Sequence, residues 1–187
     1  MSKITVKEVL LASAKMLGLD GATKYLDGTT QDAASKLEAE ELLRCFNIVE
    51  NEVALDYLPL HAETEIDSQT GVVYYTQLPS AIVRVLRVRD AWGNSVAFKL
   101  FPNYLKTQSG RVTISYTYAP AQKAIADNSD FAVQASVRLF AYGVAAEYTL
   151  SAGMFEDSAV WDKKYKDAIE AAYASRPSRV LRSRRWA

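Results

Sequence analysis

Three carboxylates, Glu63, Glu65 and Asp67, recur at every second position. In an extended strand that spacing puts them on one face, an arrangement that could collect a hard cation such as Ca²⁺. Such a site draws on about six to eight oxygens, so a solvated strand face, or one that meets basic groups on a neighbour, is the simpler expectation. His61 stands just past Pro59 and could act as a general base, but no orienting carboxylate is evident for it. Cys45, between Arg44 and Phe46 in a helical pattern, reads as a buried or half-buried thiol rather than a nucleophile. With one Cys and one His, the chain can build neither an internal disulfide nor an ordinary zinc site. It has no P-loop, no Rossmann glycine pattern and no Ser or Cys nucleophile motif. The expected catalytic, cofactor-binding and metal-ligating residues are therefore none.

Basic residues offer more. Arg84, Arg87 and Arg89 decorate a strand, where they keep an edge soluble or complement an acidic neighbour face. The final segment holds five arginines and no acid: Arg176, Arg179, Arg182, Arg184 and Arg185, with Val180, Leu181 and Trp186 among them. The chain has 22 basic and 22 acidic groups; without those five, residues 1–175 carry 17 against 22, a net of −5. An acidic body thus ends in a +5 arm, an asymmetry that points to a partner for the arm. Arginine makes bidentate contacts to carboxylates or phosphates, and Trp is a strong interface anchor. Pro177 prevents the arm from continuing a helix, and fully extended it reaches about 40 Å.

The elements that must carry these residues read as helices, then strands, then helices. Thr5-x-x-Glu8 has capping-box spacing, and Val6, Val9, Leu10 and Leu17 follow with helical period until Gly18. Residues 18–28 read as a loop or a short turn of helix. A long helix over 30–58, capped by Thr29 with Asp32 in its first turn, carries Leu42, Phe46, Val49, Val53 and Tyr57 on one face until Pro59. From 62 to 119 the period becomes two. Residues 62–66 and 72–76 flank a turn-rich hairpin connection, and the apolar phase slips at Val85-Leu86 as a β-bulge would make it. Asp90 to Asn94 is a turn before a returning strand at 96–101, and 111–118 is the most regular strand, with Val112, Ile114, Tyr116 and Tyr118 on one face. Asn128-Ser129-Asp130 offers caps for an all-round apolar helix over 130–151, expected to be central or covered. A last helix over 156–175 turns Trp161, Tyr165, Ile169 and Ala172 inward. The expected fold class is α+β: one domain over 1–175, a helical bundle with an antiparallel sheet or hairpins inserted at 62–119, and an extended C-terminal arm over 176–187.

Length and composition agree with this. At 187 residues, 49% hydrophobic and 24% charged, the chain is ordinary for one globular domain. Its most apolar stretch, 131–155, is interrupted by Arg138 and Glu147, and the charge-free run between them, Leu139 to Ala146, is eight residues, far short of the roughly 20 of a membrane helix. With no secretory pattern at Met1-Ser2-Lys3, a soluble protein made in a reducing compartment is expected.

Leu78-Pro79 leading into Ile82–Val88, the Asp90…Gly93-Asn94 turn, the ending Arg182-Ser183-Arg184-Arg185-Trp186 and the order of elements together resemble the head-to-tail connector, or adaptor, proteins of tailed bacteriophages. The resemblance implies a structural virion protein of the neck, made in the host cytoplasm. It implies a homo-oligomeric ring, usually of twelve subunits, bound under the portal protein and continuing the DNA channel, with a surface for a tail or tail-nozzle protein. The stretch matching the family's portal-inserted arm is Arg176 to Trp186, and the size of the sheet insertion is more like that of short-tailed phages. An acidic channel wall would let DNA slide without sticking. Two other readings stay open: a nucleic-acid-binding protein using the arginine arm on phosphates, and a metal-dependent enzyme using Glu63, Glu65 and Asp67.

Overall fold

The computed structural model describes residues 3–132 and 135–174. It is α+β, with five helices and two small antiparallel sheets among the described residues. The expected arm at 176–187 lies outside them, as does Ser175 at the end of the expected last helix.

Local chemistry explains where most helices start and stop. α1 (Val6–Leu17) opens with a reciprocal capping box, Glu8 N–H donating to Thr5 Oγ1 at 3.2 Å and Thr5 N–H to Glu8 Oε2 at 3.3 Å. It ends at Gly18, whose φ of 70° suits glycine alone among common residues. The stretch read as a loop or short turn contains α2 (Asp20–Leu26), which buries Ala22 and Leu26. α3 (Ala33–Glu52) starts later than expected. Thr29 cannot cap it, because the Thr29 and Thr30 amides are bonded to the Lys24 carbonyl at the end of α2. Asp32 caps instead, accepting from the Ser35 amide at 2.8 Å and the Ser35 hydroxyl at 2.7 Å, and these bonds lower its carboxyl pKa to about 2. Nor does α3 reach residue 58 as one α-helix: Val53–Tyr57 widen into a π-turn before Pro59.

α4 (Val137–Ser151) is central, packing on α1, α3 and α5 (Phe155–Ala174). Gly143 allows the approach: a Cβ there would lie 2.6 Å from a Val49 methyl and 3.0 Å from the Tyr165 ring. Phe140 stacks at a tilt on Phe46 (5.6 Å) and Phe131 (5.5 Å), joining α4 to α3 and to the segment before it. In α5, Tyr165 and Ile169 are buried as expected, whereas Trp161 and Ala172 are half-buried.

The expected start of α4 at residue 130 is also corrected. Asn128 bridges to Thr5, and Ser129 and Asp130 bind Glu50 on α3, so the cap falls to Ser136, which accepts from the Leu139 amide. Glu50 is buried; its Oε1 accepts from the Ser129 hydroxyl at 2.6 Å and the Asp130 amide at 3.1 Å, while Oε2 has no partner among the described residues. Burial raises its pKa, against the hydrogen bonds from Ser129 and Asp130. A carboxyl whose pKa is higher folded than unfolded carries a penalty at neutral pH that is relieved as pH falls through the folded value. Glu50→Gln, which keeps one acceptor oxygen and removes the charge, is expected to melt at or above the parent at pH 7, with the difference vanishing near pH 4. Glu50→Ala orphans the Ser129 and Asp130 donors and should cost about 1–3 kcal/mol. Thermal melts of both variants across pH check this; a Gln variant less stable than the parent at pH 7 contradicts it.

Between α3 and α4 the chain builds two sheets. β1 (Leu60–Ser68), β6 (Gly110–Ala119) and β3 (Ala81–Asp90) form one, in the order β1-β6-β3. β2 (Val72–Tyr74), β5 (Tyr104–Lys106) and β4 (Lys99–Leu100) form the other, in the order β2-β5-β4. The expected hairpin of 62–66 with 72–76 therefore does not form. The turn is there, but β1 pairs with β6 and β2 with β5. The returning strand shrinks to β4 and an Arg89–Ser95 bridge after the Asp90 turn, whose carboxylate accepts from the Trp92 and Asn94 amides. The bulge at Val85-Leu86 is present and a second lies one pair earlier, so Leu86 and Val83 are skipped in the β3–β6 register. Val73 and Leu105 of the second sheet share an apolar cluster with Val85, Val88, Val112, Ile114 and Tyr116 of the first.

Candidate assembly surfaces

The outer face of the first sheet is polar and sorted by charge. β1 presents His61, Glu63, Glu65 and Asp67; central β6 presents Arg111, Thr113, Ser115 and Thr117; β3 presents Arg84, Arg87 and Arg89. Period-two alternation places the β1 and β6 groups there, because the opposite faces of those strands pack inward. Glu63 accepts from the Ser115 hydroxyl at 2.6 Å and pairs with Arg89, and Glu65 pairs with Arg111 at 3.1 Å. The Ser115 hydrogen bond, then the Arg89 charge, hold the Glu63 carboxyl below the usual carboxylate range. Glu63 and Glu65 thus meet basic groups on neighbouring strands rather than converging with Asp67. Among the described residues no cluster of His, Cys, Asp and Glu is arranged to hold a metal ion. Asp67, Arg84 and Arg87 form no ion pair among the described residues.

The other sequence candidates fall apart spatially. His61 is exposed on β1 and makes no side-chain hydrogen bond among the described residues. Cys45 is buried in α3, where desolvation, then the Glu147 charge, push its thiol up to about 11, far from thiolate chemistry at neutral pH. The partner-binding residues proposed from sequence, Arg176, Arg179, Val180, Leu181, Arg182, Arg184, Arg185 and Trp186, lie outside the described residues.

Sequence reasoning missed a second surface. Tyr74, Leu100 and Phe101 are exposed on the small sheet, with the Phe101 and Tyr104 rings stacked at 4.6 Å and Tyr74 tilted against Tyr104 at 5.9 Å. Trp92, at the tip of the Asp90 turn, is 84% exposed, and Val83 and Leu86 are exposed at the two bulges. Aromatic residues grouped on a surface are the composition of a protein interface. The available signal was the density of Tyr and Phe between 74 and 104 beside Pro102, a segment too short of alternation to be assigned an inner face. No helix among the described residues is long and apolar enough to cross a membrane. No protein-family model matches the chain, and neither does any curated protein.

Proposed function

We propose that the chain is a structural component of a phage neck, copies of which associate head to tail into a ring between the portal vertex and the tail. In this reading the arm 176–187 docks on the portal protein and DNA passes through the channel without specific binding. The observation that carries it is the first sheet: one edge strand bears Glu63, Glu65 and Asp67, the other Arg84, Arg87 and Arg89. A surface with unlike patches on opposite edges suits a heterologous interface, the kind that closes into rings, better than a two-fold contact of like with like. The exposed aromatic group on the second sheet supplies the apolar area such a contact needs. No constellation of nucleophile, base and orienting group among the described residues favours an enzymatic alternative.

Reversing Arg84 and Arg87 to Glu tests this reading. Neither side chain is in an ion pair among the described residues, so the melting temperature should hold while the assembly dissociates to protomers in light scattering. An unchanged assembly mass in that variant would remove the sheet edges from the interface.

A further inference from the structure

On the face of the bundle where α3, α4 and α5 meet lies an open groove of about 320 Å³. Its walls bring together Glu52 of α3, Glu147 of α4, and Asp162 and Tyr165 of α5. Asp162 pairs with Lys166 at 2.6 Å, but Glu52 and Glu147 have no cationic partner among the described residues. Tyr165 is 4% exposed, and its hydroxyl makes no hydrogen bond among the described residues. Tyr57 gives Glu52 a hydrogen bond, but a buried hydroxyl without a partner among the described residues, set beside two half-buried carboxylates without a cation, is an arrangement that a donor-rich cation completes. The Glu52 carboxyl shows the strain: burial first, then the charges of Asp56, Glu147 and Asp162, raise its pKa. Exposed Leu150 and Phe155 form an apolar rim.

A planar guanidinium suits these walls better than a bare metal ion. It can give two N–H groups to one carboxylate and another to a hydroxyl oxygen, and no metal cluster is arranged among the described residues. The chain itself carries such groups. Asp162 precedes Ala174 by twelve positions, about 18 Å along α5. A segment of twelve residues spans about 40 Å, so arginines 179–185 can turn back and reach the groove. Val180, Leu181 and Trp186 would bring apolar surface to the rim.

We propose that this groove holds the chain's own C-terminal segment, residues 176–187, with an arginine of that segment between Glu52 and Glu147 and beneath the Tyr165 hydroxyl. Docking there competes with any other use of the arm, so a partner that takes the arm must first draw it out. This inference does not rest on the portal reading, and its test uses no portal.

Tryptic cleavage after Arg179, Arg182, Arg184 and Arg185 in the intact protein is compared with cleavage of a free peptide spanning 174–187. The expected rate in the protein is at least about tenfold slower, as charge-assisted bonds of this kind allow. In Glu52→Gln/Glu147→Gln the rate should return to that of the peptide, with the melting curve of the body retained. Tyr165→Phe, which keeps the ring and removes the hydroxyl, gives a second readout and should lose part of the protection. Equal rates in protein and peptide, or protection undiminished in the double Gln variant, overturn the proposal. Protection that disappears on dilution overturns it too, by placing a neighbouring copy's arm in the groove.

Discussion

Removal of residues 176–187 is expected to abolish capture by portal protein while leaving the body folded. Among the described residues, both apolar clusters are built from residues no later than Ala172, so the body is expected to keep its core. The arm contributes five guanidinium groups and one indole, the side chains that most often dominate interface energy. If two of them act as anchors at about 2 kcal/mol each, affinity falls roughly a thousandfold. Trp186→Ala in the full chain should account for a large share of that loss. Pull-down and titration calorimetry with portal read both, and circular dichroism checks the fold. Undiminished portal binding by the truncated chain would reject the docking role.

The second large effect is on stability. Phe140→Ala should cost roughly 3–5 kcal/mol, the usual range for deleting a fully buried aromatic ring. The ring lies between Phe46 and Phe131 at the centre of the larger cluster, and the neighbouring backbones cannot close the cavity without moving α4 from α3. Against a total stability of about 5–15 kcal/mol, such a loss brings the domain close to unfolding at room temperature. Leu37→Ala on the outer face of α3, where the side chain is 61% exposed, is the control and should change stability by about 0.5 kcal/mol or less. Urea titrations of both variants check the contrast; a Phe140→Ala midpoint close to the parent's would mean the cluster is not the structural centre described.

The parts of the fold that depend on neighbours in sequence were legible. Thr5-x-x-Glu8 and Gly18 bounded α1, the phase slip at Val85-Leu86 marked a bulge, and the alternation of 111–118 gave the inner face of β6. Misplaced starts have a common cause. Thr29 looks like a cap until the end of α2 takes its amide, and Ser129-Asp130 looks like one until Glu50, on another helix, binds both residues. Strand pairing was hidden for the same reason: residues 69–71 make the turn, but register with residues far along the chain sends β1 to β6 and β2 to β5. Of the surfaces, the acidic and arginine-bearing strands were readable one at a time. Their placement at opposite edges of one sheet was not, since β6, which separates them, comes later in the chain. The groove acids Glu52, Glu147 and Asp162 come from three helices and share no pattern that a linear reading could detect.

Mass in solution tests the ring most directly. Native mass spectrometry or multi-angle light scattering of the full chain, alone and with portal protein, should show closed multiples of the 20.7 kDa protomer, about 250 kDa for twelve copies. A species that stays at 20.7 kDa in both conditions would contradict the proposed ring.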